Sequence, residues 1–276
     1  MRSVIEKRAT FRALHQTGCF VLPNPWDVGS ARMLQKLGFA ALASTSSGLA
    51  WSAGLPDYAV GRDAVLAHLA ALCAAVDLPV NADFESGFAT DLEELARNIL
   101  FAVATGVAGL SIEDRDGSAG ELFETAVAVE RVRAAHAAIA GSGQDVLLIA
   151  RTEALLLDPS AVGPAIDRLV AFAQAGADCL YAPGVRRPAD IAAMVEAVAP
   201  KPLNVLIVDP AQRLDELAAL GVRRVSVGGA LARAAWGAAF ATATLMREGS
   251  FEGLRGAASA SRLNGMFADG GTDSGS

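Results

Sequence analysis

The residues of this chain that could do chemistry fall at the ends of short apolar runs. Asp83 and Glu85 follow LPVNA, Glu113 follows GLSI, and Arg151 follows VLLIA. Asp57 lies on a long connection after another such run, FAALAST. Several carboxylates brought to one place cannot all stay ionised without a cation or raised pKa values. An oxygen-only set suits Mg2+ or Mn2+ with several waters retained. A guanidinium facing that set can grip a ligand carboxylate in bidentate fashion. The structural alternative for Arg151 is a bridge to Glu113 or Glu153. The run Ser44–Gly48 reads either as a small-residue turn or as a nest of amides and hydroxyls for an anion. Asn204, at the end of an apolar run, reads as a turn former or as a ligand contact.

What is missing narrows the chemistry further. The three lysines are Lys7, Lys36 and Lys201. None follows an apolar run, so a Schiff-base mechanism lacks its amine. His15, His68 and His136 all fall in helical patterns and read as helix-surface or interface residues. Histidine-bound zinc and a Ser-His-Asp triad are thereby excluded. Cys19, Cys73 and Cys179 are far apart with no CxxC spacing, and read as reduced, mostly buried thiols.

The elements that must position these groups repeat one phrase. A helical stretch ends in Gly, and a short apolar strand follows: LGFAALAST, TGVAGLSIED, AGADCLYAPG and LGVRRVSVGG. Gly38, Gly106, Gly176 and Gly221 fit the left-handed position that closes a helix. Further strands are read at CFVLPN, LPVNAD, DVLLIA and PLNVLI, which makes eight. Helices are read at Ala64–Val76, Leu92–Ala104, Ala126–Ile139, Ala161–Ala175, Ile191–Val198 and Leu214–Leu220. Continuous apolar strands alternating with helices predict an α/β fold, a (β/α)8 TIM-type barrel, over residues 1–264 as one domain. A doubly wound sheet is disfavoured because no GxGxxG follows a strand. Residues 265–276, rich in Gly, Ser and Asp, read as a disordered tail. In such a barrel the active site lies at the C-terminal ends of the strands, where the residues above fall.

Composition agrees with that reading. Of 276 residues 53% are hydrophobic, and the net charge is −7 with no Lys/Arg cluster, so nucleic acid is not expected as a partner. No apolar run reaches the ~20 residues of a membrane helix, and the first residues lack a signal-peptide core. No membrane association and a cytoplasmic location are the expectation.

The motifs ADFESGF, SIED, ARTEA and SSGLAWSAGLPD, in this order of strands, resemble the isocitrate lyase/phosphoenolpyruvate mutase superfamily. The resemblance spans about Pro23 to Gly229. It implies a (β/α)8 barrel with a swapped C-terminal helix in a homo-oligomer, a dimer or dimer of dimers. It implies Mg2+ (or Mn2+) nearest Asp83, with Glu85 and Glu113 holding it largely through waters and Asp57 closing the loop. Arg151 matches the arginine on the substrate's carboxylate or oxo end. Ser46, Ser47 and Gly48 match the run holding the substrate carboxylate, and Asn204 lies near a family asparagine. Arg151 and Glu113 are the catalytic candidates, Arg151 against the oxyanion and Glu113 (or Tyr181) moving a proton.

The segment after the fourth strand departs from the lyases. RDGSAGELFETAVAVERV carries no K-x-C-G-H motif, so a true isocitrate lyase is not expected. The expected function is a carbon–carbon lyase or decarboxylase acting on a small 2-oxo acid or dicarboxylate through an enolate. A 2-oxo acid sensor and a phosphonopyruvate-type P–C bond enzyme are the alternatives.

Overall fold

The computed structural model describes residues 2–117 and 120–268 of the chain. Eight strands appear where the apolar runs predict them: β1 (Phe20–Leu22), β2 (Leu42–Ala43), β3 (Val80–Asp83), β4 (Gly109–Glu113), β5 (Leu147–Arg151), β6 (Cys179–Tyr181), β7 (Leu203–Leu206) and β8 (Arg224–Ser226). The first helices are α1 (Val4–Leu14), α2 (Val28–Lys36), α3 (Ser46–Ser52), α4 (Arg62–Ala75), α5 (Leu92–Ala104) and α6 (Thr125–Gly141). They are followed by α7 (Ala154–Leu157), α8 (Val162–Gln174), α9 (Pro188–Val198), α10 (Leu214–Ala219), α11 (Ala230–Arg247) and α12 (Ala260–Phe267). The four glycines of the recurring phrase all have positive φ. At Gly176 space is also short, since a Cβ would sit 2.6 Å from the His136 ring.

All seven ladders are parallel, in the order β1-β8-β7-β6-β5-β4-β3-β2. The seam between β1 and β2 is bridged by Ala43 N donating to Pro23 O at 3.1 Å. The result is a (β/α)8 barrel. Leu69, Ile99, Leu148 and Phe172 fill the layer between sheet and helices. Phe11, Leu22, Ile149 and Cys179 fill the interior. Asn81, Asn204 and Arg224 are buried as well, so the interior is partly polar.

The N-terminal helix closes one end of this barrel. Lys7 Nζ donates to Cys73 O at 2.9 Å and Val76 O at 2.6 Å, at the end of α4. Arg8 donates to Val103 O and Val107 O, between α5 and β4. Arg12 meets Asp145 and Asp178, ahead of β5 and β6. These partners all precede strands, so α1 covers the N-terminal ends of the strands and leaves the other end open. Cations on helix C-terminal carbonyls satisfy orphan acceptors and complement the helix dipole.

His15 corrects one expectation, because it is not a surface residue. It follows α1 at 9% exposure and packs edge-on against Phe11 and Phe20. Its Nδ1 lies 2.8 Å from Phe11 O and its Nε2 is buried with no partner. Burial, then the charge of Arg224, lowers its pKa to about 3. His136 is exposed as expected, and His68 is half-buried.

At the other terminus α11 buries only Ala232. It leaves Trp236 at 51% and Phe240 at 77% exposure. Helix α12 returns to pack on α2. Gly265, Met266 and Phe267, read from sequence as the start of a tail, belong to α12, and the residues from 269 on lie outside the described ones. Among the described residues no helix is long and apolar enough to cross a membrane.

Two stability measurements test the closed end. Lys7→Met keeps the apolar stem and strips two buried carbonyls of their donor, so it should cost about 2–3 kcal/mol in urea unfolding. His15 binds a proton in the unfolded chain from its ordinary pKa of 6.5 downward but in the folded chain only near pH 3. Its contribution is therefore complete above the unfolded pKa and falls as pH drops through that window. Between pH 7 and pH 5 it should remove about 2 kcal/mol of stability, a slope that His15→Gln should abolish.

Candidate active site

The open end of the barrel holds a cavity of about 160 Å³. It is smaller than the ~300–1,000 Å³ usual for drug-sized ligands, and so suits a small molecule. Asn24, Ser46, Ser47, Asp57, Asp83 and Arg151 are among its lining residues, with Arg224 and Ser226 from β8. Asn24 supports the seam of the barrel from its mouth: Nδ2 donates to Ser44 O, while Oδ1 accepts from the amides of Val227 and Gly228. One side chain thus ties the ends of β1, β2 and β8 together.

Arg151 organises the mouth. It leaves the end of β5 in register with Glu113 of β4 and Tyr181 of β6. Its Nη1 lies 3.3 Å from Asp83 Oδ1 and 3.4 Å from Glu113 Oε2, and its Nε donates to Glu153 Oε1. Burial opposes its charge, but Glu153, Glu113 and Asp83 outweigh burial and hold its pKa well above the ordinary value. Asp83 is fixed from the other side. Its Oδ2 accepts from Ser46 N at 3.0 Å, and its own amide donates to Ser44 Oγ at 2.8 Å.

The four acidic candidates divide. Asp57 and Asp83 line the cavity. Glu85 sits in a left-handed turn, φ +46°, and lines a separate surface hollow beside Tyr58. Burial, then the charges of Asp83 and Asp57, pushes Glu85 up to about 8. The Asp57 pKa is raised by burial and by Asp83. Glu113 lies behind Arg151 with a side chain 2% exposed, and accepts from Tyr58 Oη at 2.8 Å. Burial raises its pKa against the pull of Arg151. Asp114, at the end of the same strand, is structural: it accepts from Glu153 N and Arg168 Nη1.

The serine run does not form a nest of free amides. Thr45 caps α3 and Ser46 opens it, so the amide of Ser46 is spent on Asp83 and that of Gly48 on Thr45 Oγ1. Ser46 and Ser47 line the cavity. Gly48 packs behind it, where a Cβ would stand 2.6 Å from Thr45 and 2.9 Å from Trp26. Asn204 also lies behind the cavity wall, with Nδ2 on Ser226 Oγ and Oδ1 accepting from Arg224 Nε. Tyr58 and Arg224 escaped sequence reading. Tyr58 lies in an unpatterned loop, and Arg224 stands at the start of a strand rather than at its C-terminal end.

The donor set bears on the metal. Among the described residues no three His, Cys, Asp or Glu side chains gather around one point. Asp83 and Asp57 nevertheless bring two carboxylates to one cavity, where burial and then the charge of Asp83 raise the Asp57 pKa. That arrangement fits a hard cation bound by one or two carboxylates and otherwise by water, as Mg2+ prefers. After β4, Arg115 pairs with Leu122 in an isolated antiparallel bridge, and the Arg115 guanidinium lies over the Tyr58 ring.

Comparison with known proteins fits this geometry. A crystal structure from Burkholderia cenocepacia, provisionally described as a lyase or mutase, superposes with a TM-score of 0.94 at 45% identity, covering 98% of this chain and 99% of that one. An oxaloacetate decarboxylase of Pseudomonas aeruginosa is 34% identical over 81% of this chain and 79% of its own length. Oxaloacetate acetylhydrolase in complex with oxalate superposes with a TM-score of 0.84 at 27% identity, covering 96% and 93%. The profile of the phosphoenolpyruvate phosphomutase family matches residues 11–247. The chain therefore belongs to that family, within the isocitrate lyase/phosphoenolpyruvate mutase superfamily.

Proposed function

We propose that this chain is a Mg2+-dependent lyase that breaks the carbon–carbon bond one carbon removed from the carbonyl of a small 2-oxo acid, by retro-aldol cleavage or decarboxylation, so that the bonding electrons pass into the carbonyl as an enolate. The carrying observation is Arg151, a guanidinium at the mouth of a small polar cavity with Asp83 in reach. Asp83, with Asp57 beside it, would hold the cation, and Glu85 and Glu113 would act on it through water. When bound, the cation supplies positive charge against the oxygens of the ligand. Arg151 is fixed by Glu153 and Glu113 before any ligand arrives, so it faces the developing oxyanion without reorganising. Ser46 and Ser47 offer hydroxyls to the ligand carboxylate, and Asn204 acts by holding Arg224. Glu113, raised by burial and hydrogen-bonded by Tyr58, is the group with a proton to move, and it reaches the ligand through water. The relatives named as oxaloacetate decarboxylase and oxaloacetate acetylhydrolase support oxaloacetate as the first substrate to try.

The exposed face of α11 supports a homo-oligomer. An apolar patch this long on a monomer marks an interaction surface, and we assign it to a second copy of the chain in the cytoplasm.

Oxaloacetate turnover should require Mg2+, and Asp83→Asn should lower it by about 10²–10³-fold in a pyruvate-release assay. Turnover that survives both chelation and Asp83→Asn would overturn the metal assignment. Binding of 2-oxo acids without any product would favour a sensor, and release of phosphonate or phosphate would favour P–C chemistry. In light scattering the protein should run as a dimer or tetramer, and a double variant, Trp236→Asp with Phe240→Asp, should run smaller. A wild-type monomer would refute that assignment.

A further inference from the structure

The cavity contains a second arginine whose charge no carboxylate among the described residues answers. Arg224 opens β8, is 2% exposed, and lines the cavity at its inner end. Its guanidinium lies 6.0 Å from the ring of Phe11, the residue with which α1 fills the closed end of the barrel. Nε donates to Asn204 Oδ1 at 2.9 Å and Nη1 to Asn81 Oδ1 at 3.4 Å. Both acceptors are neutral amides. Of the five N–H donors of a guanidinium, these bonds use two. Among the described residues no carboxylate pairs with Arg224, whereas Arg151 has three.

A buried charge without a counter-ion is costly, and proteins pair such groups or lose them. Here the unused donors border a cavity, so a ligand can supply the missing charge. Asn81 and Ser226 line the same end and are also polar. A methyl group placed there would leave the guanidinium desolvated and unpaired, which selects against an apolar tail.

We propose that Arg224 binds a second carboxylate of the substrate. The cavity then takes a small dicarboxylate, with one end at Arg151 and Asp83 and the other at Arg224. This rests on reading the cavity as the organic-acid site, and it adds a specificity-determining residue at the opposite end from the reacting group.

Calorimetric titration of the Mg2+-loaded protein with succinate and with butyrate isolates the claim, because butyrate carries a methyl group where succinate carries its second carboxylate. The wild type should bind succinate at least tenfold more tightly. Arg224→Met should bring succinate to the butyrate level while butyrate binding stays within twofold, and Arg224→Lys should recover part of the preference. Equal binding of the two acids by the wild type would overturn the proposal, whether or not the variants fold. So would an equal loss of both in Arg224→Met, which would mark a purely structural arginine. An Arg224-dependent succinate preference without oxaloacetate turnover would leave the subsite standing and remove the lyase reading. Oxaloacetate turnover with no succinate preference would do the reverse.

Discussion

One guanidinium shared among three carboxylates sets the character of the barrel mouth. Arg151 reaches Asp83 from β3, Glu113 from β4 and Glu153 beyond its own strand. Three carboxyl groups crowd one guanidinium, and Asp57 adds a fourth from the loop after β2. Burial alone would protonate such groups, and it does push Glu85 and Glu113 upward. Arg151 counters that tendency at Glu113. A hydrated cation would relieve what remains. The eight parallel strands matter because only their convergence brings side chains from positions 57, 83, 113 and 151 to one rim.

The two arginines of the cavity show how differently one residue type is used. Arg151 is held by carboxylates in a fixed orientation and shares its charge between them and a ligand. Arg224 is held by neutral amides that orient it without answering its charge. Oriented but uncompensated charge is what a binding group for an anion requires, because its partner then arrives from solution. The α1 cations, Lys7 and Arg8, are a third case: main-chain carbonyls at and after the ends of α4 and α5, with the Gln144 side chain, take up their donors, so they serve stability.

Much of this was legible in the sequence because it is encoded locally. The strands are largely apolar runs and six of the eight follow a turn with a glycine of positive φ, so β4, β5 and α5 are legible nearly to the residue. Asp83 and Arg151 could be found because they end strands. What escaped was set by tertiary contacts. Glu85 turns away through a left-handed backbone that no spacing announces. The serine run looks like an anion nest, yet its amides are consumed in starting α3 and fixing Asp83. His15 resembles any helix-end histidine until Phe11 and Phe20 enclose it. Arg224 opens a strand that reads as core, and a charged residue inside a barrel is not a pattern that periodicity reveals.

Gly229 joins two regions that otherwise look separate. It directly precedes α11, and a Cβ there would stand 2.7 Å from Ser47 Oγ and 3.0 Å from the Trp51 ring. The root of the long projecting helix therefore bears directly on a serine of the cavity wall with no slack between them. The outline of the ligand chamber and the direction in which that helix leaves the barrel are, mechanically, a single variable.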